Sequence, residues 1–223
     1  MNRFNESKSL KPLLIALPKG RLEEELLPRL QGTAFELDAR ALKSRKLRIP
    51  MADPLLAAIL LKGADLPRYV AGGVAALGIV GSDILDECPV DLMELSDLNF
   101  GVCRLSLCGP DSTSLEELKA KPHLRIATKF LEATGRWLRQ EGITAELVPL
   151  QSSVELAPVL GLADAIVDLV QSGKTLQAHH LVEFTQLGKA SARLVACRGM
   201  FLSEPDRIGP LAKALTGLLQ TPG

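Results

Sequence analysis

Short apolar runs alternate along the chain with segments in which hydrophobic residues recur every three or four positions. The runs are rich in Ile, Val and Leu, which is typical of strands buried on both faces of a sheet. We therefore predict strands at Leu13–Leu17, Leu47–Met51, Ala57–Leu61, Ala76–Val80, Val90–Leu95, Val102–Leu107, Leu124–Thr128, Glu146–Leu150, Ala163–Val167, Leu181–Leu187 and Ala192–Cys197. Because strands that alternate with helices indicate βαβ units, the predicted fold class is α/β with mostly parallel sheets.

The helical segments lie between these strands, and a capping serine is predicted for two of them. Ser82 is predicted to cap its helix, and Ser114 to form a capping box with Glu117. The predicted helices are Leu22–Gln31, Asp65–Ala71, Ser82–Glu87, Ser114–Lys119, Phe130–Glu141, Ser153–Leu160, one that begins near Ser172, and Ile208–Leu219.

Each half of the chain carries its own series of strands and helices, with no long linker, repeat or low-complexity tract between them. We therefore expect two lobes rather than one large sheet. One lobe is predicted to comprise residues 1–98 with 187–223, and the other residues 99–186. The junction near Asp97–Gly101 is expected to act as a hinge.

Charge and hydropathy exclude several classes of function. The 223 residues include 26 Lys and Arg against 26 Asp and Glu, so the chain lacks the basic excess of proteins that grip nucleic acid phosphates. No polybasic block or apolar run of about 20 residues indicates a membrane protein. The first dozen residues are polar and do not resemble a signal peptide, so we expect a cytoplasmic protein.

The cysteines and histidines do not indicate a metal site with direct protein ligands. The four cysteines show neither a C-x-x-C pair nor zinc-type spacing, and they are predicted to be buried free thiols: Cys88, Cys103, Cys108 and Cys197. The three histidines have no carboxylate or cysteine at ligand spacing and are expected at the surface: His123, His179 and His180.

The strongest chemical signal is the segment GLADAIVDLVQSGKTL, residues 161–176. A buried strand leads to Asp168, and a turn of small residues, Ser172–Thr175, precedes a helix. The backbone N–H groups of such a turn can converge on a phosphate, aided by the hydroxyls of Ser172 and Thr175 and the charge of Lys174. A plain strand–turn–helix with a capping serine is the alternative.

The Gly-Lys-Thr letters also raise the possibility of a nucleoside-triphosphatase P-loop. That motif requires a glycine five positions before Gly173, where this chain has Asp168. A carboxylate there would repel triphosphate oxygens, whereas it could accept hydrogen bonds from ribose hydroxyls or face a magnesium ion. The sequence therefore disfavours a P-loop.

Weaker signals follow other strands. Lys19 and Arg21 in PKGR lie where an open parallel sheet binds ligands and could bind pyrophosphate oxygens, although an ordinary basic turn fits equally well. ALGIVGSD, residues 76–83, could bring backbone close to a ligand or be a common βα turn. Glu155 could complement a helix N-terminus or contact a ligand.

Together these residues resemble ATP phosphoribosyltransferase of the short form, a catalytic subunit without a C-terminal regulatory domain. The resemblance runs from about Leu13 to about Arg198. It is carried by LLIALPKGRL, DLPRYVAGGVAALGIVGSDIL, NFGVCRLSL, LRIATKF, SSVELAPVLGLADAIVDLVQSGKTL and ARLVACR, in the family's order and spacing. Lys62, Phe130 and Ser152 stand where members of the family commonly have arginine, tyrosine and glycine.

The resemblance implies a two-lobed fold like that of type II periplasmic binding proteins, with the active site in the cleft between the lobes. It implies that phosphoribosyl pyrophosphate (PRPP) is bound by Asp164, Ala165 and Asp168, with its 5′-phosphate at Ser172, Gly173, Lys174 and Thr175. In the family's pattern, Lys19 and Arg21 contact nucleotide or pyrophosphate. Further candidates for this contact are Gly20, Lys62, Gly81, Ser82, Asp83 and Glu155.

The family's reaction joins adenine N1 of ATP to ribose C1 of PRPP and releases pyrophosphate, the first step of histidine biosynthesis. Adenine N1 has a free lone pair, so the expected roles are alignment and charge stabilisation, with Lys19 and Arg21 at the pyrophosphate and Asp168, with Asp164, at the ribose hydroxyls. Mg²⁺ is expected to arrive bound to substrate phosphates. Lobe closure would exclude water.

The resemblance also implies a homodimer within a hetero-oligomer whose regulatory subunit is related to histidyl-tRNA synthetase. Because the chain ends at Gly223, feedback by histidine is expected to come from that partner. A sensor or solute-binding protein on the same fold is the competing class, since the fold alone does not decide the function.

Overall fold

The computed structural model describes residues 11–220. The prediction that the first dozen residues are not a signal peptide therefore falls mostly outside the described residues. The strands are β1 (Leu13–Pro18), β2 (Ile49–Pro50), β3 (Leu56–Leu61), β4 (Leu77–Gly81), β5 (Met93–Asp97), β6 (Cys103–Pro110), β7 (Arg125–Thr128), β8 (Glu146–Pro149), β9 (Ala165–Val170), β10 (Leu181–Ala190) and β11 (Ala192–Ala196). The helices are α1 (Arg21–Leu30), α2 (Ala39–Leu42), α3 (Leu66–Ala71), α4 (Ser82–Glu87), α5 (Leu115–Lys119), α6 (Leu131–Glu141), α7 (Leu156–Val159), α8 (Lys174–Ala178), α9 (Arg198–Ser203) and α10 (Pro205–Gln220).

The described residues form two compact units. The first comprises residues 11–81, 90–100 and 192–220, and the second residues 82–89 and 101–191. The lobes expected from the sequence instead put residues 82–89 and 187–191 with the first unit and residues 99–100 with the second. Residues 82–89 join the second unit because the Glu87 carboxylate accepts hydrogen bonds from the backbone N–H groups of Glu132 and Ala133, both at 2.9 Å, and so caps α6.

The first unit is built on a six-stranded sheet with strand order β2-β3-β1-β4-β11-β5. Strands β3, β1 and β4 are mutually parallel neighbours. Every residue of β1 and β4 is buried, as expected for strands covered on both faces. A Cβ at Gly78 of β4 would lie only 2.7 Å from Val70 Cγ2, so glycine allows α3 to pack directly on the sheet.

The second unit is built on a five-stranded sheet with strand order β10-β6-β9-β7-β8. Strands β9, β7 and β8 are parallel, whereas β10 and β6 run antiparallel to their neighbours. Separate hydrophobic clusters form around Phe130 and Ile126 and around Cys108 and Ile166. The central strand β9 contributes Ala165 and Val167 to one cluster and Ile166 and Val170 to the other, so β9 packs on both of its faces.

Several predictions are confirmed, and the sheet direction is a correction. The α/β class is confirmed, and the Ser114 Oγ accepts a hydrogen bond from Glu117 N–H at 3.2 Å, as the capping box predicted. The four cysteines are free and buried. Both sheets are mixed rather than mostly parallel. Strand direction could not be predicted from the sequence, because buried strands have the same apolar composition in either direction.

Other differences concern short elements. The strand predicted at Leu47–Met51 is only the two-residue β2, and the helix predicted at Ser153–Leu160 shortens to α7. Helices α2 and α9 were not predicted from the sequence. Ser82 begins α4, and its Oγ accepts a hydrogen bond from Ser191 N–H at 3.3 Å, which ties the helix start to the segment before β11. None of the helices within residues 11–220 is both long and apolar enough to cross a membrane.

Candidate active site

A pocket of about 220 Å³ lies within the second unit, where β9 ends and the turn to α8 begins. It contains the predicted phosphate turn and two carboxylates. Its lining residues are Glu155, Ile166, Asp168, Leu169, Val170, Gln171, Ser172, Gly173, Lys174, Thr175 and Leu176. The structure therefore brings Asp168 together with Ser172–Thr175, as the motif predicted, and adds Glu155.

The turn at Gly173 has the backbone conformation that glycine favours. Gly173 has φ +74°, in the left-handed region, and precedes the first residue of α8. The first hydrogen bond of this helix runs from Gln177 N–H to Gly173 O at 3.1 Å. The backbone N–H groups before Gln177 therefore have no intrahelical acceptor and can donate to an anion in the pocket.

Asp168 points one carboxylate oxygen at protein groups. Its Oδ1 accepts a hydrogen bond from Leu169 N–H at 2.8 Å and lies 3.6 Å from Lys129 Nζ. Within residues 11–220, the hydrogen bonds to this carboxylate reach only Oδ1. The side chain is 27% exposed, so Oδ2 can accept a hydrogen bond from a ligand hydroxyl.

Asp164 and Ala165, which were also predicted to bind PRPP, are not among the residues that line this pocket. Asp164 precedes β9, and a strand rises about 3.3 Å per residue, so Asp164 lies roughly 13 Å along the chain from Asp168. The Asp164 carboxylate accepts hydrogen bonds from Lys121 Nζ and Arg125 N–H, both at 2.8 Å. Ala165 is fully buried and packs in the hydrophobic core.

The pKa of Asp164 reflects these contacts. Burial raises the pKa of this carboxyl, but the hydrogen bonds from Lys121 and Arg125 outweigh that effect and hold the pKa below its ordinary value. The carboxylate thus stays ionised and satisfied by its neighbours in the fold. Asp164 is a structural tie between β9 and the start of β7.

The basic residues of the PKGR segment lie in the first unit. Lys19 follows β1 and donates its backbone N–H to Leu61 O of β3 at 2.7 Å, so Lys62 follows the neighbouring parallel strand at the same sheet edge. Lys19, Gly20 and Lys62 are exposed, and the Arg21 side chain is 37% exposed. Gly20 has φ +87° and lets the chain turn from β1 into α1. The structure therefore brings Lys62 together with the PKGR turn.

The segment ALGIVGSD, residues 76–83, is divided between the two units. Gly81 ends β4 in the first unit and is buried. Asp83 belongs to the second unit and lines a separate pocket with Asp86, Arg136 and Trp137, away from the phosphate turn. The structure therefore does not place Ser82 or Asp83 in the pocket that contains Asp168.

A polar stripe beside Asp168, which was not predicted from the sequence, is formed by Lys129, Ser106, Arg104 and Glu183. Ser106 on β6 is the register partner of Asp168 on β9. Arg104 donates two hydrogen bonds to the Glu183 carboxylate, at 2.9 and 2.8 Å, and Ser106 Oγ donates a third at 2.7 Å. The segments LRIATKF and CRLSL contain three of these residues, but only the pairing of β7, β9, β6 and β10 aligns them.

The charges of this stripe also affect the pKa values of Glu183 and Cys108. The hydrogen bond from Arg104 holds the pKa of Glu183 below its ordinary value, so Glu183 is ionised. Burial raises the pKa of the Cys108 thiol to about 12, and the charges of Glu183 and Asp168 add to this effect. Cys108 is therefore a neutral thiol at physiological pH and not a nucleophile.

Similar folds occur in proteins of different functions. The alkanesulfonate-binding protein SsuA from Xanthomonas axonopodis pv. citri covers 94% of this chain, with a TM-score of 0.59 and 16% identity. The VFT2 domain of Bordetella pertussis BvgS covers 95%, with a TM-score of 0.60 and 16% identity. These likenesses show the fold, which is that of two-lobed periplasmic binding proteins.

Closer similarity is found to one enzyme family. The family model HisG, ATP phosphoribosyltransferase, matches residues 62–217. The ATP phosphoribosyltransferase of Streptococcus gordonii is 42% identical over 90% of this chain and 92% of its own length, and that of Acidithiobacillus ferrooxidans is 38% identical over 91% and 95%. The ATP phosphoribosyl transferase (HisG:HisZ) complex from Thermotoga maritima contains a chain with a TM-score of 0.77 and 27% identity, over 93% of this chain and 98% of that one. This chain belongs to the ATP phosphoribosyltransferase family.

Proposed function

We propose that the chain transfers the phosphoribosyl group of PRPP to N1 of ATP, giving N1-(5-phosphoribosyl)-ATP and pyrophosphate, the first step of histidine biosynthesis. The observation that carries the proposal is the pocket that combines Asp168 and Glu155 with the Ser172–Thr175 turn in a member of this family. Two carboxylates beside a turn rich in N–H donors suit a sugar phosphate, which offers hydroxyl donors and a phosphate acceptor.

In this pocket the 5′-phosphate accepts hydrogen bonds from the backbone N–H groups of Gly173, Lys174 and Thr175. The hydroxyls of Ser172 and Thr175 add donors, and the exposed Lys174 adds charge. Asp168 Oδ2 and the Glu155 carboxylate accept hydrogen bonds from the ribose hydroxyls. These contacts fix the sugar so that its C1 is oriented for displacement.

The reaction itself needs no general base, because the attacking atom already carries a lone pair. The C1–O bond breaks with its electron pair on the departing pyrophosphate, and the adenine N1 lone pair forms the new C–N bond. The carbon passes through an oxocarbenium-like state, as in glycoside hydrolysis. We assign Lys19, Arg21 and Lys62 to the phosphate oxygens of nucleotide and pyrophosphate, where cations stabilise the charge that develops.

Magnesium fits this site as part of the substrate. Within residues 11–220, no group of three or more His, Cys, Asp or Glu side chains could hold a metal ion, and the pocket offers only Asp168 and Glu155. Mg²⁺ prefers few carboxylates together with substrate phosphate oxygens and water. When bound, it supplies neutralising charge on the pyrophosphate oxygens.

The proposal includes a partner. The Thermotoga maritima relative is described in a HisG:HisZ complex. We propose that this chain, as a homodimer, likewise assembles with a regulatory subunit related to histidyl-tRNA synthetase, in the cytoplasm. Co-purification of the two subunits after co-expression would test the assembly.

The activity is tested by incubating the chain with ATP, PRPP and Mg²⁺, with and without the partner subunit. Mass spectrometry should detect the ATP adduct, and pyrophosphate should appear in equal amount. A binding protein of the same fold would retain ligand without releasing pyrophosphate. Absence of both products with the partner present would contradict the proposed function.

A further inference from the structure

The residue after β7 is held in place by a buried threonine. Thr128 is fully buried, and its Oγ1 donates a hydrogen bond to Val167 O of β9 at 2.7 Å. The same Oγ1 accepts a hydrogen bond from Phe130 N–H at 2.9 Å. Because this hydroxyl bridges the end of β7 to β9 and to Phe130, it fixes the backbone on both sides of Lys129.

The Lys129 side chain is directed by two further contacts. Parallel pairing of β7 with β9 matches Thr128 to Val167, so Lys129 follows beside Asp168. The Lys129 Nζ lies 3.6 Å from Asp168 Oδ1 and 4.9 Å from the centre of the buried Phe130 ring. The ring gives the ammonium a second attractive contact besides the carboxylate.

We propose that Lys129 is a positioning residue for PRPP, which holds Asp168 Oδ1 so that Oδ2 faces the ribose hydroxyls. This inference rests on the proposed function. Leu169 N–H and Lys129 both act on Oδ1, so they fix the carboxylate's rotation. A carboxylate that is already oriented loses less freedom when the sugar binds.

A double-mutant cycle tests this role by titrating the full chain with Mg–PRPP. Lys129→Met keeps an unbranched side chain of similar length but removes the charge, and we expect its dissociation constant for PRPP to rise about tenfold. In an Asp168→Asn background the same change should have less than a twofold effect, because the group that Lys129 orients is then altered. Lys129→Arg should restore most of the affinity, and ATP binding should change less than twofold in each variant.

A matched control is available in the same unit. Lys119 Nζ lies 3.6 Å from Glu141, with a side chain 39% exposed against 37% for Lys129. Lys119→Met should leave PRPP binding unchanged.

The outcomes separate the two proposals. If wild type binds PRPP and the effects of Lys129→Met and Asp168→Asn on its dissociation constant multiply, Lys129 acts independently of Asp168 and the inference is overturned. Equal losses of ATP and PRPP affinity in Lys129→Met, without rescue by Lys129→Arg, would mean a structural defect and overturn it too. If wild type does not bind PRPP, the proposed function itself fails.

Discussion

Asp164 lies immediately before β9 and Asp168 lies within it, and the two carboxylates have different partners. Asp164 is hydrogen-bonded to Lys121 and Arg125 before the strand begins, whereas Asp168 lines the pocket near the strand's end. The first carboxylate is used by the fold, and the second has an oxygen available to a ligand. The two residues should therefore respond differently to the same substitution.

Asp168→Asn should weaken PRPP binding by roughly 10-fold to 100-fold, because a hydrogen bond to a charged group contributes about 1.5–3 kcal/mol. Asp164→Asn should instead lower the free energy of unfolding by about 1–2 kcal/mol and change PRPP binding less than threefold. Calorimetric titration and urea unfolding of both variants measure the two effects. Loss of PRPP affinity in Asp164→Asn without loss of stability would return Asp164 to the binding site.

Ionisation of Asp164 should make part of the free energy of unfolding depend on pH. Because the folded pKa lies below the unfolded one, the stability from this carboxylate is complete above about pH 4 and is lost as pH falls through the folded pKa. The stability difference between wild type and Asp164→Asn should therefore be largest near pH 7 and shrink at lower pH. Urea unfolding at several pH values measures it, and a difference that stays constant down to pH 2.5 would contradict the assignment.

The turn at Gly173 can be tested with a matched glycine. Gly173 and Gly142 have φ of +74° and +67°, and a Cβ at either would meet no atom within 4 Å, so alanine strains both backbones equally. Each substitution should cost about 1 kcal/mol of stability. Only Gly173→Ala should weaken PRPP binding, by tenfold or more, since it shifts the N–H groups of the turn. Equal PRPP affinities of the two variants would remove this turn from the site.

Arg21 is expected to act on the departing pyrophosphate. Arg21→Ala should lower kcat by about 10-fold to 100-fold with little change in melting temperature, because its charge-assisted hydrogen bonds strengthen as the pyrophosphate gains charge. Arg68→Ala, at an exposed position on α3 of the same unit, is the control and should retain activity. Steady-state kinetics measure kcat in both variants. An unchanged kcat in Arg21→Ala would show that Arg21 does not act on the departing pyrophosphate.

Features that depend on neighbouring residues could be predicted from the sequence. The small-residue turn, Asp168 before it and the strand ahead of both were predictable, because turn chemistry and buried strands depend on neighbouring residues. The roles of Asp164 and Asp168 were not separable, since the motif does not show that Lys121 and Arg125 lie beside only one of them. Lys129 is 39 positions from Asp168, and only the pairing of β7 with β9 brings them together.

The direction of the strands and the capping of α6 by a distant residue could not be predicted from the sequence either. Buried strands have similar composition in parallel and antiparallel pairs, so β6 and β11 gave no sign of their antiparallel partners. Glu87 caps α6 from a distant segment, and a helix that begins at Leu131 without its own capping side chain does not reveal where its cap comes from. Both features depend on long-range packing rather than on local preference.

A crystal structure of the chain with PRPP and Mg²⁺ would locate the sugar phosphate directly. We expect the 5′-phosphate within hydrogen-bond distance of the backbone N–H groups of Gly173, Lys174 and Thr175, with a ribose hydroxyl on Asp168. Electron density for the sugar at Asp164, or at any location that leaves residues 172–175 without a phosphate contact, would contradict it.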